Sequence, residues 1–454
     1  MEREKLGSRM GFLLLSAGCA IGIGNVWKFP YMVGENGGAA FVLIYLLFLI
    51  LLGVPVMTVE FALGRASQKS PVRLYQQLEK PGQKWHIHGY VAMAGNYIIM
   101  MFYTTVAGWL IHYFVKMASG TFTGMNVEQI EEEYVSMLAK PGPMMFFMGL
   151  VVVLGFTVCA IGLQKGLEKV TKWMMTALMV IMVVLAICSL CTPGAAEGLK
   201  FYLVPNVQRM KEVGLGNIVV AAMNQSFFTL SIGIGSMAIF GSYIGKDRAL
   251  MGESINVAVL DTFVAFVSGL IIFPACFSYG VHPDSGPNLI FITLPNIFNH
   301  LPGGRIMGSF FFIFLAFAAL STVFAVFENI LACCMDLFSW SRKKACLINC
   351  IAVFLLSVPC VLGFNVLSGV HPLGAGSTIM DLEDFIVSNV LLPLGSLVFV
   401  LFTVCRNGWG FKNFMAEANQ GVGAKVPKWM KTYMTIVIPF IILVIFVVGI
   451  LPYL

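Results

Sequence analysis

Residues 17–30 read AGCAIGIGNVWKFP and follow an apolar run that is typical of the beginning of a membrane helix. The stretch contains three glycines, and backbone without side chains unwinds at little cost. Within hydrocarbon every backbone donor and acceptor needs an internal partner, so non-helical backbone survives only where it is buried or lines a cavity. The stretch therefore predicts a membrane helix that is broken at a buried site.

The same interruption recurs about half a chain later. The sequence IGIG of residues 21–24 returns at residues 232–235. The second copy lies five predicted spans after the first, and because this number is odd, it enters the membrane from the opposite side. Glycine-interrupted helices at matching positions of two inverted halves are the best sequence indication of a transporter's binding site. Close helix packing would explain one such pattern, whereas two matched patterns favour a binding site.

Composition places the chain in a membrane and excludes a soluble globular protein. Hydrophobic residues make up 58% of the 454 residues, charged residues make up 11%, and the mean hydropathy is +0.87. The sequence holds eleven apolar segments of about 20 residues, the length that a membrane helix needs. Numbered spans 1 to 11, they cover residues 10–32, 39–64, 89–117, 144–162, 171–191, 216–243, 252–280, 306–338, 345–364, 384–405 and 432–453.

The net charge of +6 is a topology signal. With the amino terminus in the cytoplasm, most of the 28 lysines and arginines lie in cytoplasmic loops, which is the positive-inside rule. The sequence therefore predicts a multi-pass protein of the plasma membrane lipid bilayer, with its N-terminus cytoplasmic and its C-terminus outside. We expect no nucleic acid partner, and the sequence gives no indication of the oligomeric state.

The eleven cysteines and six histidines form no recognisable metal or catalytic pattern. Cys188 and Cys191 have the spacing of half a zinc site, but no second pair at zinc spacing accompanies them. The other reading, small buried hydrophobic residues, suits cysteines scattered through apolar spans. With no catalytic dyad either, we expect no enzyme activity. A channel would need a continuous polar pore, whereas the polar residues cluster at the middle of the spans.

Ionisable residues inside predicted spans point to function. Glu60, Asp261 and Glu328 lie too deep to be loop charges, and a buried carboxylate needs a cation or a proton. In span 8 the adjacent hydroxyls of Ser321 and Thr322, with no base nearby, suit a hard monovalent cation better than a nucleophile. The alternative for each hydroxyl is a hydrogen bond to the preceding helical turn.

Four motifs resemble the bacterial neurotransmitter:sodium symporter family. They are GNVWKFPYMVGENGGAAF (24–41), VPVMTVEFALGR (54–65), FFTLSIGIG (227–235) and AALSTVFAVFEN (318–329), and the resemblance extends over essentially the whole chain. It implies an all-α integral membrane protein with a 5+5 inverted repeat and with spans 1 and 6 unwound at mid-membrane. The repeats would be residues 1–191 and 192–406, and residues 407–454 would form a cytoplasmic loop and span 11.

The resemblance also implies which residues bind ligands. A first sodium site would be formed by the substrate carboxylate together with Ala20, Asn25, Thr229 and Asp261. A second sodium site would be formed by Gly18, Ile21, Ala318, Ser321 and Thr322. The substrate would contact Cys19, Ala20, Gly22, Gly24, Ile99, Tyr103, Phe228, Thr229, Ser231, Ile234, Thr322 and Val326. Among these, Tyr103 would meet the substrate carboxylate and Phe228 would close over the ligand.

Two pairs of charges near opposite ends of the spans would be gates. Lys28 with Asp384 resembles the family's outer gate, and Arg3 with Asp336 resembles the inner gate. Taken alone, each of these residues would also suit a simple anchor at the membrane interface.

Two of the positions that depart from the usual pattern of the family concern the first sodium site and chloride. Asp261 stands where the first sodium site usually has asparagine, and Ala265 stands where chloride-dependent members often have serine. We therefore expect Asp261 to supply the negative charge that chloride provides elsewhere, and transport to be independent of chloride.

The apolar residues of the expected pocket predict the class of substrate. Ile99, Ile234 and Val326 line its side-chain end, which favours an aromatic or large aliphatic L-amino acid. The resemblance implies that this substrate enters with sodium by alternating access. The alternative is a proton-coupled amino acid carrier of the same general fold, in which Asp261 and Glu60 would move protons.

Overall fold

The structure is a computed structural model that describes residues 4–280, 288–301 and 303–451. Within these ranges the regular structure is helical, and an isolated bridge between Arg248 and Val422 is the sole strand-like pairing. Nine of the described helices are long and apolar enough to cross a membrane. They are Ala39–Ser67, His86–Ser119, Pro141–Ile161, Leu163–Leu190, Leu250–Ser278, Gly304–Phe338, Arg342–Leu362, Ile379–Val404 and Met430–Ile450.

These nine helices correspond to the predicted spans 2–5 and 7–11. Span 1 is a bent pair, Arg9–Ala20 and Gly24–Glu35, whose two parts differ in direction by 54°. Span 6 consists of Leu215–Thr229, with 15 residues, and Ser236–Gly241, with 6 residues. Neither part of span 6 is long enough to cross a membrane alone, so the total of eleven spans stays a prediction. Both predicted helix breaks are present.

Shorter helices lie in the connections. They are Pro71–Leu78, Val127–Ala139, Ala195–Leu203, Val207–Val213, Leu294–His300 and Phe411–Ala418. Wide single turns with i→i+5 hydrogen bonds interrupt or extend several spans. These turns are Gly24–Lys28, Leu49–Gly53, Leu163–Glu168, Leu289–Thr293, Ile386–Leu391 and Tyr433–Val437.

The local sequence explains where span 1 begins and where both broken helices stop. Ser8 caps the first part of span 1, because its side-chain oxygen accepts a hydrogen bond from the Gly11 amide at 3.0 Å. That part ends at Ala20, since Ile21 has an extended ψ of 96°. In span 6 the helix stops at Thr229, and Ser231 and Gly233 follow with φ values of 51° and 100°, in a region that residues with side chains rarely adopt.

The two broken helices lie in the interior of the bundle. Span 1 packs against spans 7 and 8, and the second part of span 6 packs against span 2. Of the nine helices named above, span 8 is the most buried and span 11 is the least. Packing therefore shields both breaks, which is the condition under which irregular backbone is stable inside a membrane.

Candidate functional site

At the break in span 1, side-chain oxygens accept hydrogen bonds from the backbone amides that have no partner within the helix. The Gly22 amide donates to Oδ1 of Asn25 at 3.2 Å, and the Ile23 amide donates to the hydroxyl of Tyr103 at 2.9 Å. A methyl group at position 22 would overlap the hydroxyls of Tyr103 and Thr322, so this close approach requires glycine. The break is therefore held open by specific partners and is not a loosely packed kink.

The carbonyl groups released by the same break face span 8. The Ser321 hydroxyl lies 2.8 Å from the Ala318 carbonyl oxygen and 3.2 Å from that of Ile21. The Thr322 hydroxyl lies 3.2 to 3.4 Å from the carbonyl oxygens of Gly18, Cys19 and Ile21. The structure thus brings together all five residues expected to form the second sodium site. Their donors are carbonyl and hydroxyl oxygens, the type of ligand that hard cations prefer.

A second cluster surrounds Asp261, which is completely buried in span 7. The Asn25 amide donates to Oδ1 of Asp261 at 2.7 Å, and the Thr229 hydroxyl lies 3.2 and 3.3 Å from the two carboxylate oxygens. The Tyr45 hydroxyl lies 3.5 Å from Oδ2. Three of the residues expected at the first sodium site are therefore in direct contact. Ala20, the fourth, lines a neighbouring cavity.

This cavity lies between the two helix breaks and has a free volume of about 10 Å³. Its lining consists of Cys19, Ala20, Gly22, Gly24, Ile99, Tyr103, Phe228, Ser231 and Thr322, all of them predicted substrate residues. Of the other predicted residues, Thr229 faces Asp261, and Ile234 and Val326 are buried away from the lining. The space suits about one water molecule, so an amino acid would require the cavity to expand.

Phe228 and Tyr103 line both the small cavity and a second cavity of about 260 Å³. Lys28 contacts the ring of Phe228. Its Nζ lies 4.1 Å from the ring centroid, which is a cation–π contact. The same Nζ lies 3.0 and 3.1 Å from the carboxylate oxygens of Asp384 and 3.3 Å from the Ser388 hydroxyl. The residues of the expected outer gate are therefore paired and are linked directly to the ring over the small cavity.

The expected inner gate falls partly outside the described residues, because Arg3 lies there. Its predicted partner Asp336 accepts a hydrogen bond from the Ser70 amide at 2.7 Å. Other charges fasten the start of span 1 to the rest of the bundle. Arg9 forms an ion pair with the buried Glu253 at 2.9 Å, and Glu168 accepts a hydrogen bond from the Gly7 amide at 2.8 Å.

Glu328, which the sequence singled out, belongs to a buried ion pair. Two nitrogens of Arg342 lie 2.7 and 2.9 Å from its carboxylate oxygens, and the Tyr243 hydroxyl donates to it at 2.8 Å. Arg342 also reaches Glu4, near the amino terminus, at 3.4 Å. The sequence did not reveal these partners of Glu328, since no periodicity or motif indicates which basic residue meets a given buried acid.

Contacts across the bundle also connect the two helix breaks. Ser231, in the break of span 6, has a φ of 51°, and its hydroxyl donates to the Cys19 carbonyl in span 1 at 3.1 Å. The Gly233 amide donates to Glu60 of span 2 at 2.6 Å. Hydrogen bonds therefore join the two broken helices to each other and to span 2.

Two broken helices that expose oxygen ligands around a closed cavity are typical of membrane transporters. The family model described as the sodium:neurotransmitter symporter family matches residues 3–134 and 117–454, so the chain belongs to this family. It is a sodium-dependent, multi-pass membrane transporter, as predicted, and its relatives are transporters and not enzymes.

Individual relatives match over nearly the whole chain. The chain is 35% identical to an uncharacterized sodium-dependent transporter, YhdH, of Bacillus subtilis (strain 168), with 98% of both proteins covered. It is 25% identical to the sodium- and chloride-dependent taurine transporter of Rattus norvegicus, covering 100% of this chain and 79% of that protein. A crystal structure of MhsT in complex with L-phenylalanine matches with a TM-score of 0.89 and 38% identity, covering 98% of this chain and 100% of MhsT.

Removing the buried partner of Arg342 is expected to destabilise the protein. Glu328→Gln leaves a largely buried guanidinium without its carboxylate, a change that typically costs about 3–5 kcal/mol. Glu4→Gln is the matched control, because Glu4 is 54% exposed and pairs with the same arginine at a longer distance. Thermal unfolding in detergent should show a clear fall of the midpoint for Glu328→Gln and little change for Glu4→Gln. Equal midpoints for the two variants would contradict this account of the ion pair.

Proposed function

We propose that this protein imports a hydrophobic L-amino acid together with sodium by alternating access. The observation that carries the proposal is a cluster of five oxygen atoms where span 8 meets the break in span 1. Three are backbone carbonyl oxygens, and two are the hydroxyl oxygens of Ser321 and Thr322. These oxygen ligands include no carboxylate or imidazole that could bind a proton, which favours a metal cation over a proton at this position. The family membership supports the use of sodium.

The proposal assigns sodium to two places. One ion binds among the carbonyls of Gly18, Ile21 and Ala318 and the two hydroxyls of span 8. The other binds beside Asp261 and shares the carboxylate of the substrate. Because that carboxylate then belongs to both sites, the ion and the amino acid each raise the other's affinity by the same factor.

The small cavity supports a substrate with an apolar side chain. Ile99 and Phe228 supply apolar surface to its lining, and Tyr103 places a hydroxyl there for the substrate carboxylate. Ile234, in the break of span 6, and Val326, in span 8, are buried outside this lining. They are proposed to face the substrate once the cavity expands. The structure of MhsT with L-phenylalanine supports an aromatic amino acid as the first candidate.

Alternating access would come from movement of the broken helices. We assign residues 1–191 and 192–406 to the two inverted repeats, with the N-terminus cytoplasmic and the C-terminus outside. On this assignment Lys28 and Asp384 close the outer side, and Arg3 and Asp336 contribute to closing the inner side. Opening of the outer gate frees Phe228 from Lys28, and the small cavity can then enlarge to admit the amino acid.

Uptake into proteoliposomes tests the proposal. Radiolabelled phenylalanine, tryptophan and leucine are offered under an inward sodium gradient and, separately, under an inward proton gradient without sodium, with glutamate as a charged comparison. We expect accumulation of the hydrophobic amino acids with sodium only, because the donor set fits a cation. Accumulation driven by the proton gradient alone would instead support the proton-coupled alternative.

Thr322→Ala locates the ion within the same assay. Loss of one oxygen ligand is expected to raise the sodium concentration for half-maximal uptake at least tenfold, about 1.4 kcal/mol. Thr403→Ala is the matched control, because the Thr403 hydroxyl is also buried but bonds to a carbonyl of its own helix. A sodium dependence that is identical in the two variants would remove this position from the site.

Chloride replacement tests the proposed role of Asp261. Asp261 provides a carboxylate that belongs to the protein, so the first sodium needs no bound anion beside it. Uptake should therefore be unchanged when gluconate replaces chloride. Ala265, which contributes no hydrogen-bond donor, is consistent with this expectation. Uptake that falls severalfold without chloride would contradict the proposed role of Asp261.

A further inference from the structure

Glu383 is a buried carboxyl group that the proposed transport cycle does not use. It lies in the short helix Ile379–Phe385 at the beginning of span 10, one residue before Asp384 of the outer gate. The residue is 4% exposed. In the part of the chain that the structure describes, neither of its carboxyl oxygens has a nitrogen or oxygen hydrogen-bond partner, and the thiol of Cys360 is the polar group beside it.

The surroundings of Glu383 favour the neutral acid. An ionised carboxylate that is buried without a partner costs several kcal/mol, and gaining a proton removes most of this cost. Asp384 has the opposite surroundings, since it lies 3.0 Å from Lys28 and accepts a hydrogen bond from Ser388 at 2.7 Å. The two adjacent carboxyl groups therefore have different environments, one buried without a charged partner and one paired with Lys28.

Among the described residues, the elements packed against this helix present no base to Glu383. Spans 3 and 9 form these contacts. From span 9 the thiol of Cys360 faces both Glu383 and Asp381, and from span 3 the Thr105 hydroxyl lies beside this thiol. On the same helix Asp381 and Asp384 are acidic, and a further negative charge beside them is unfavourable. The neighbouring groups therefore act in the same direction as burial.

We propose that Glu383 is a proton-binding site that couples the outer gate to the pH of the outer solution. While the gate is closed, Glu383 holds its proton. In this proposal, opening of the gate involves the helix Ile379–Phe385 as well as the broken helix of span 1. As the helix Ile379–Phe385 separates from spans 3 and 9, water reaches the carboxyl group of Glu383, its O–H bond breaks, and the proton passes to water. Closure reverses this exchange. The inference rests on the proposed function, because it takes Lys28 and Asp384 as the outer gate.

The direction of the pH effect follows from the number of bound protons. The closed gate holds one proton more than the open gate, so an alkaline outer solution favours opening and an acidic one favours closure. For a single proton the ratio of open to closed protein changes by at most about tenfold per pH unit. Glu383→Gln resembles the neutral acid and cannot ionise, so it should stay biased towards the closed gate at every pH.

Accessibility of the 260 Å³ cavity measures this equilibrium. The parent protein and Glu383→Gln, each also carrying Val106→Cys in the lining of that cavity, are reconstituted in sodium buffer without amino acid. A membrane-impermeant thiol reagent is applied outside at pH 5 to 8, and peptide mass spectrometry reads the label at position 106. The ratio of the two labelling rates cancels the pH dependence of the thiol itself. We expect this ratio, parent over variant, to rise severalfold from pH 5 to pH 8.

Glu131→Gln, an exposed glutamate on the same proposed outer side, is the control and should leave the parent response unchanged. Infrared spectroscopy adds a direct readout, because Glu383→Gln should remove one protonated carboxyl band at neutral pH. Glu383→Met, which places an apolar side chain in the same space, serves if the glutamine variant does not fold. A constant labelling ratio or an unchanged carboxyl band would overturn the proposal. Neither readout requires amino acid uptake, so failure here is distinct from failure of sodium coupling.

Discussion

The constraint on which this structure depends is that a backbone group inside a membrane needs a partner. A continuous helix meets the requirement by itself, and the chain gives up that solution in spans 1 and 6. Tyr103 and Asn25 then receive the released amides, and the hydroxyls of Ser321 and Thr322 face the released carbonyls. The partners come from other spans as well as from span 1, so the breaks tie the centre of the bundle together.

The same contacts explain how the proposed site would bind and release ions at modest cost. A carbonyl oxygen accepts either a hydroxyl proton or a cation, and the hydroxyl oxygen can turn its lone pairs towards that cation. Binding therefore replaces hydroxyl hydrogen bonds at these carbonyl oxygens with contacts to the cation. Phe228 adds a mechanical link, since its ring covers the small cavity and is held by Lys28 of the gate.

The sequence predicts the helix breaks because their cause is local. The glycines within residues 21–24 and 232–235 weaken a helix whatever packs against it, and the structure shows both interruptions. The resemblance to the family supplied the residues around the cavity, and the structure brings most of them together. It could not indicate how small that cavity is, because the volume depends on where the ring of Phe228 rests against Gly24.

Ion pairs and hydrogen bonds between distant parts of the chain could not be predicted from the sequence. Arg9 and Glu253 are 244 positions apart, and Gly7 and Glu168 are 161 apart, so only the packing of the spans brings them together. Glu383 was missed for a related reason. Its neighbour Asp384 carries the recognisable gate pattern, whereas burial of Glu383 follows from the way spans 3 and 9 cover the short helix.

The central claim is that the freed backbone groups of the broken helices are the ion ligands. A high-resolution crystal structure of the protein with sodium and L-phenylalanine tests it most directly. The account predicts one sodium ion coordinated by the carbonyl oxygens of Gly18, Ile21 and Ala318 and by the hydroxyls of Ser321 and Thr322. Sodium bound elsewhere, with both hydroxyls still hydrogen-bonded to those carbonyls, would contradict it.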